Sequence, residues 1–199
     1  MSDEPLLIVE DPAPGVRLLR LNRPDRRNAL ATPLLAEIAT ALIAADRDAA
    51  VRCVVITGGE KIFAAGADIK EMADKSAAGA LADERPALWA AIRAFAKPLV
   101  AAVNGWCLGA GCELLMCCDL SVAARDARFG QPETNLGIIP GAGGTATLPR
   151  LVGRTAAMKM VLLGEAISAA EALALGLVAE VVEPDQVEAR SLEMAAAIA

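Results

Sequence analysis

The sequence predicts an α/β fold. Short, largely apolar runs such as Arg52 to Thr57 (RCVVIT) and Leu99 to Val103 (LVAAV) have the length of buried strands. Longer stretches with apolar residues at helical spacing separate them, and this alternation builds strands covered by helices. The chain has 199 residues, 55% of them hydrophobic, which is enough for one sizeable domain with its own core.

From the N-terminus, Leu6 to Glu10 and Val16 to Leu21 are apolar runs joined by Asp11-Pro-Ala-Pro-Gly15, which predicts a β-hairpin. Asn22 to Leu30 (NRPDRRNAL) is a basic loop in an acidic chain. It reads either as a solvated turn or as a phosphate contact through Arg23, Arg26 or Arg27. Thr32 is expected to N-cap a helix with Pro33 at its first position, running to about Asp46. Leu34, Leu35, Ile38, Leu42 and Ile43 give that helix an apolar stripe. The RCVVIT strand closes at Gly58-Gly59, and Phe63 to Lys70 (FAAGADIK) is a small-residue loop entering a helix. Ser76 to Ala96 reads as helical with a break at Pro86, ended by Pro98 before the LVAAV strand. Gly105 to Gly111 leads into a helix carrying Glu113, and Asp119 to Ala124 is a further strand. Phe129 to Glu133 is irregular, and Ile138 to Gly144 opens another helix. Arg154 to Leu163 is helical. Ser168 and Glu171 form a capping box for Ala169 to Leu175, which Gly176 stops. Val178 to Val182 is a short strand, and Pro184 starts a last helix reaching Ala199. No internal repeat, low-complexity tract or linker interrupts the chain.

Composition excludes several functions. The net charge is −6, which argues against nucleic acid or an anionic membrane as main partner, since both need a basic face. No apolar run reaches the roughly 18 residues of a membrane span. Met1 to Leu7 is acidic and carries no basic segment followed by an apolar one, so no secretory leader is expected and the expected compartment is the cytoplasm. The five cysteines are Cys53, Cys107, Cys112, Cys117 and Cys118. An odd count without a leader argues against a disulfide framework. Four of them cluster, but not at C-x2-C spacing, and the chain has no histidine, so buried reduced thiols are expected rather than a metal site. The missing histidine also removes Ser-His-Asp and Cys-His catalysis. Tyrosine is missing too, so proton transfer falls to Asp, Glu, Lys, Cys or bound water.

Candidate chemistry concentrates between Val103 and Gly144. Two glycine-rich loops, Gly105 to Gly111 and Gly137 to Gly144, each lie near one carboxylate, Glu113 and Glu133, in largely apolar surroundings. Desolvation raises a carboxyl pKa toward neutrality, where the group both takes and gives protons. Singly, Glu113 reads as a surface acid in a first helical turn and Glu133 as a solvated loop acid. Gly141 to Ala146 (GAGGTA) formally fits the dinucleotide pattern G-x-G-x-x-A, with Glu165 about 20 residues on. However, Pro140 precedes it, where a first strand is required.

Further segments carry a resemblance. LNRPDRRNAL, VVITGGEKIFAAGADIKEM, AAVNGWCLGAGCELLMCCDLSVAA, ARFGQPETNLGIIPGAGGT and SAAEALALGLVAEVV stand in the order and spacing of the enoyl-CoA hydratase/isomerase (crotonase) superfamily, over most of the chain. The resemblance implies a crotonase-like spiral of repeated ββα units. It implies a core over 1–183, the start of a C-terminal helical segment at 184–199, and most of that segment missing. It implies homotrimers or hexamers and an acyl-CoA thioester as substrate, with no cofactor and no metal. Backbone N–H groups of Ala67 and Ala110 correspond to an oxyanion hole, with alanine at 110 where the family often has glycine. Glu113 and Glu133 correspond to the two acids of hydratases, Glu113 activating water and Glu133 delivering a proton. Substrate contacts fall on Arg26, Ala29, Ala65, Asp68, Ile69, Lys70, Gly109, Pro132 and Gly141. Some relatives have a lysine where Asp25 stands, so Arg26 or Arg27 takes the phosphate role here. Trp89, Trp106 and Ile138 are expected in the acyl pocket. The GLGAGCEL wording is similar to hydratases of phenylacetate breakdown, which handle a dicarboxylyl-CoA. The activity implied is hydration of a trans-2-enoyl-CoA. The alternatives are double-bond isomerisation using Glu133 as the main base, or a non-catalytic interaction subunit on this fold.

Overall fold

The computed structural model describes residues 5–73 and 76–199. Strands β1 (Leu7–Ala13) and β2 (Val16–Leu21) form the expected antiparallel hairpin. Helix α1 (Thr32–Arg47) buries Leu34, Leu35, Ile38 and Leu42, while Ile43 faces out. Strands β3 (Cys53–Thr57) and β4 (Ile62–Ala64) follow, then helices α2 (Ile69–Ala73), α3 (Ala77–Leu81) and α4 (Arg85–Arg93). Next come β5 (Leu99–Val103), β6 (Trp106–Leu108) and helix α5 (Ala110–Leu115). Then follow β7 (Leu120–Ala124), β8 (Arg128–Gly130), and helices α6 (Gly144–Val152) and α7 (Arg154–Leu163). Strand β9 (Ile167–Ser168), α8 (Ala169–Ala174), β10 (Glu180–Val182) and α9 (Val187–Ile198) complete the chain.

Two sheets share these strands. One runs β1-β2-β3-β5-β7-β10 and the other β4-β6-β8-β9. Beyond the β1/β2 hairpin the first sheet is parallel, as are the β4/β6 and β6/β8 pairs of the second. Consecutive strands therefore alternate between the sheets: β3 then β4, β5 then β6, β7 then β8, with helices after each pair. This is the mixed α/β spiral of ββα units expected from the resemblance. The core strands β3 and β5 are buried at every residue, which suits parallel strands covered on both faces. Helix α9 packs across β3, β5 and β7 and is tied to β2 by a two-pronged Arg20–Glu188 pair at 2.7 and 2.8 Å.

Several elements differ from expectation. Strands β4, β6, β8 and β9 are two or three residues long and border glycine-rich turns, too short for any periodicity to register. Thr32 is the first helical residue, not the cap. Ala31 caps, and the Thr32 hydroxyl donates to Glu71 Oε2 at 2.9 Å, fastening α2 to α1. The break between α3 and α4 falls at 82–84, and Pro86 sits in the first turn of α4, where its missing N–H costs nothing. Pro184 opens a single 3-10 turn before α9.

Asn28 holds the basic loop against the second sheet. It is 3% exposed and takes φ +52°. Its amide donates to Gly58 O, Ile62 O and Phe63 O at 2.6–3.3 Å, and its Oδ1 accepts from Arg23 N at 2.9 Å. Asn28→Ala strands these groups in a dry site and puts alanine in the left-handed region. We expect a loss of about 2–4 kcal/mol, read as a lower urea midpoint. A shift below about 0.5 kcal/mol would show that water replaces the amide.

Candidate active site

The second sheet assembles the site. Strand β4 ends at Ala64 and is followed by Ala65-Gly66-Ala67. Strand β6 ends at Leu108 and is followed by Gly109-Ala110. Strand β8 ends at Gly130 and is followed by Gln131-Pro132-Glu133. Three neighbouring parallel strands thus deliver three loops to one edge. Alpha helix α5 starts at the middle loop and carries Glu113 on its fourth residue. The loops wall a cavity of about 400 Å³. Its lining includes Ala65, Ala67, Ile69, Gly109, Ala110, Glu113, Pro132, Glu133 and Gly141 of the expected set, together with Trp89 and Ile138.

Gly66 has φ +117° and Gly109 has φ +51°, conformations that side chains resist. Each glycine turns the following N–H, of Ala67 or Ala110, out of the local hydrogen-bond pattern. Leu30 N donates to Gly66 O and Asp68 N to Leu30 O, bypassing Ala67 N. Gly109 N donates to Gly130 O, and Ala110 is the first residue of α5, where helical N–H groups have no partner. Among the described residues neither N–H meets an acceptor. Two unpaired donors on one cavity wall can bind an anionic oxygen.

Glu113 is 3% exposed. Its Oε1 accepts from Ala142 N and Gly144 N, each at 2.7 Å. The glycine-rich loop ahead of α6 therefore turns its N–H groups onto a carboxylate of the chain itself, so the dinucleotide-like pattern reads here as a carboxylate cradle. Burial raises the Glu113 pKa above the usual carboxylate value, and the two N–H groups and Arg93 pull it part of the way back. Glu133 is pushed up to about 7, chiefly by burial, with the charge of Glu113 adding to it. A neighbouring pair held apart in this way can keep one acid ionised and one protonated near neutral pH.

The remaining expected contacts lie outside the cavity lining. Asp68 is paired with Arg23 at 3.1 Å, and Arg23 also donates to Ala29 O. Arg23 is thus engaged in the fold. Arg26, Arg27 and Lys70 are exposed, and among the described residues none of them forms an ion pair. Trp106, expected in the acyl pocket, is 47% exposed on β6 and does not line the cavity.

Two residues went unread in the sequence. Gln131 is fully buried, and with its amide oriented by its surroundings it donates to both Glu133 oxygens at 3.0 and 3.1 Å. A polar residue in the apolar stretch FGQPE was the available signal. Arg93 lies four residues after Trp89 on α4, so the two share a helix face, and both line the cavity. The five cysteines are all free, and burial pushes the Cys107 and Cys118 thiols far up.

A family model described as enoyl-CoA hydratase/isomerase matches residues 12–199. The chain belongs to the enoyl-CoA hydratase/isomerase family. Among this family's members, the chain is 53% identical to a 2,3-dehydroadipyl-CoA hydratase of Escherichia coli, over 92% of this chain and 72% of that one. It is 47% identical to a probable enoyl-CoA hydratase of Rhizobium meliloti, over 100% of this chain and 77% of that one. The solved enoyl-CoA hydratase of Bacillus anthracis superposes with a TM-score of 0.92 at 38% identity, covering 98% of this chain and 76% of that one. The chain thus spans about three quarters of these family members.

Proposed function

We propose that the cavity hydrates a trans-2-enoyl-CoA to the 3-hydroxyacyl-CoA. The observation that carries this reading is the facing of two acids, both with raised pKa, across a wall bearing two unpaired N–H groups. The thioester carbonyl binds the Ala67 and Ala110 N–H groups, which stabilise the negative charge it gains as water adds. Ionised Glu113, fixed through Oε1, takes a proton from water with its other oxygen, and the hydroxyl bonds to C3. Protonated Glu133, held by Gln131, gives its proton to C2 on the same face. The addition is therefore syn. Glu113 ends protonated and Glu133 ionised, and proton exchange with solvent resets the pair. The coenzyme's phosphates lie toward Arg26, Arg27 and Lys70, the exposed cations around the β4 loop. Isomerisation needs only Glu133, and the cradle built around Glu113 favours hydration.

Crotonyl-CoA tests the reading through loss of the conjugated enoyl-thioester absorbance. Loss that disappears in Glu133→Gln supports it. No loss in the wild-type protein, with acyl-CoA still bound, would sink hydration. The pair also sets a pH profile. As pH rises through about 7, Glu133 loses the proton it must deliver, so kcat/KM falls. As pH falls toward the Glu113 pKa, which lies above the usual carboxylate value, the base is protonated and kcat/KM falls again. A profile that stays flat through pH 7 and above would remove Glu133 as the acid.

A further inference from the structure

We propose that Arg93 is a positioning residue for Glu113: it clips the glycine-rich loop ahead of α6 to α4 and sets a positive charge beside the carboxylate which that loop cradles. Its part in turnover rests on the hydration reading above, whereas its hold on the carboxylate does not. Helix α4 turns Arg93 toward the cavity, and from there the side chain reaches two other elements. Arg93 Nη1 donates to Ala142 O at 2.9 Å, in the loop. The guanidinium also hydrogen-bonds the Cys117 thiol, two residues past the end of α5. Cys117 Sγ in turn donates to the backbone oxygen of Glu113 at 3.3 Å. Arg93 therefore joins the loop that cradles the acid to the segment that carries it.

The clip acts where the loop needs one. Ala142 N and Gly144 N each donate to Glu113 Oε1 at 2.7 Å. The Ala142 carbonyl lies between these two donors along the chain. Gly143 has φ +112°, and a segment so rich in glycine has little stiffness of its own. Each peptide unit is planar, so pinning the Ala142 carbonyl fixes the unit that joins the two donating ones. An arginine suits the task, because its forked donors meet the carbonyl and the thiol together, which a lysine ammonium does as a single point.

Charge is the second part of the role. Burial pushes the Glu113 carboxyl up, and the Gly144 and Ala142 N–H groups and the Arg93 charge oppose it. Among the described residues no carboxylate pairs with Arg93, so that charge is not neutralised elsewhere. The other titratable groups around Glu113 do not supply it. Glu133 faces it with a charge of the same sign, and burial pushes Cys117 up to about 11, so that thiol stays neutral. Asp83 and Arg85 line the cavity and pair with each other. The loop from 140 to 144 carries no charged residue. Removing the Arg93 charge therefore raises the pH at which Glu113 takes a proton. The loss of kcat/KM is then greatest on the acid side. The basic limb belongs to Glu133, whose pKa follows its burial and the Glu113 charge.

Two substitutions test this. Arg93→Met keeps an apolar stem and removes the charge and the donors, while Arg93→Lys keeps the charge and a donor for Ala142 O. Arg93 is exposed, so both variants should fold. The Gly144 amide proton is bonded to Glu113 Oε1, so its NMR shift follows the ionisation of that carboxyl without any turnover. We expect its pH midpoint to rise in Arg93→Met, to stay near wild type in Arg93→Lys, and the difference to shrink as salt rises. With crotonyl-CoA, Arg93→Met should lose about three- to tenfold more kcat/KM at about pH 5.5 than at about pH 7. Its affinity for butyryl-CoA, which has no double bond to hydrate, should stay close to wild type. An unchanged Gly144 midpoint in Arg93→Met would overturn the proposal. So would weakened butyryl-CoA binding, which would make Arg93 a ligand contact, or a loss of activity equal at both pH values and not restored by Arg93→Lys. A midpoint that moves as expected in a protein that hydrates no enoyl-CoA would keep the clip and remove the hydratase reading.

Discussion

Glu113→Gln is expected to lower the rate of crotonyl-CoA hydration by about 10³–10⁴-fold, the upper part of the range for losing a positioned general base. The substitution is unusually informative because the cradle survives it. Glu113 Oε1 accepts from Ala142 N and Gly144 N, and a glutamine carbonyl accepts from the same two groups. Those donors fix the amide's orientation and leave its NH₂ facing the water, where it has no basicity. The loop ahead of α6 stays in place, so the thermal midpoint and acyl-CoA affinity should stay close to wild type. An isomerase using Glu133 alone would keep turnover in this variant, and a non-catalytic subunit would show no change. Hydration within tenfold of wild type would end the two-acid mechanism.

Ala110→Pro is expected to cost about 10²–10³-fold in kcat, the usual cost of removing one oxyanion donor. Proline lacks the N–H and sets a ring carbon where the oxygen would sit. Position 110 is the first residue of α5, where proline is accepted because that N–H has no helical partner. Fold and stability should therefore survive, which thermal unfolding checks alongside activity. Unchanged kcat with an intact fold would mean the carbonyl does not use this donor.

The fold was legible wherever a short apolar run, a helical spacing or turn chemistry marks an element. The hairpin, the buried strands β3 and β5, and the capping box at Ser168 were all readable because local chemistry decides them. The two acids were conspicuous as charges beside glycine-rich, apolar stretches. That they face one cavity was not legible, because the strands that bring them together, β4, β6 and β8, have three residues each and no pattern of their own. Their pairing is a property of the spiral as a whole. Gln131 and Arg93 were hidden differently: Gln131 meets Glu133 two positions on, through an irregular turn that has no sequence period, and Arg93 meets Ala142 O across 49 positions.

The parallel pairing of β4 with β6 does more than gather loops. Neighbouring strands stand about 4.8 Å apart. Two donors separated by that distance, each about 2.9 Å from a shared oxygen, approach it at about 110° to one another. That is close to the angle between the lone pairs of a carbonyl. In the proposed site the bite of the clamp would follow from that interval, and each glycine would have only to aim one N–H. A clamp built this way tolerates wide change in side chains, since the quantity that matters is the interval between two backbones.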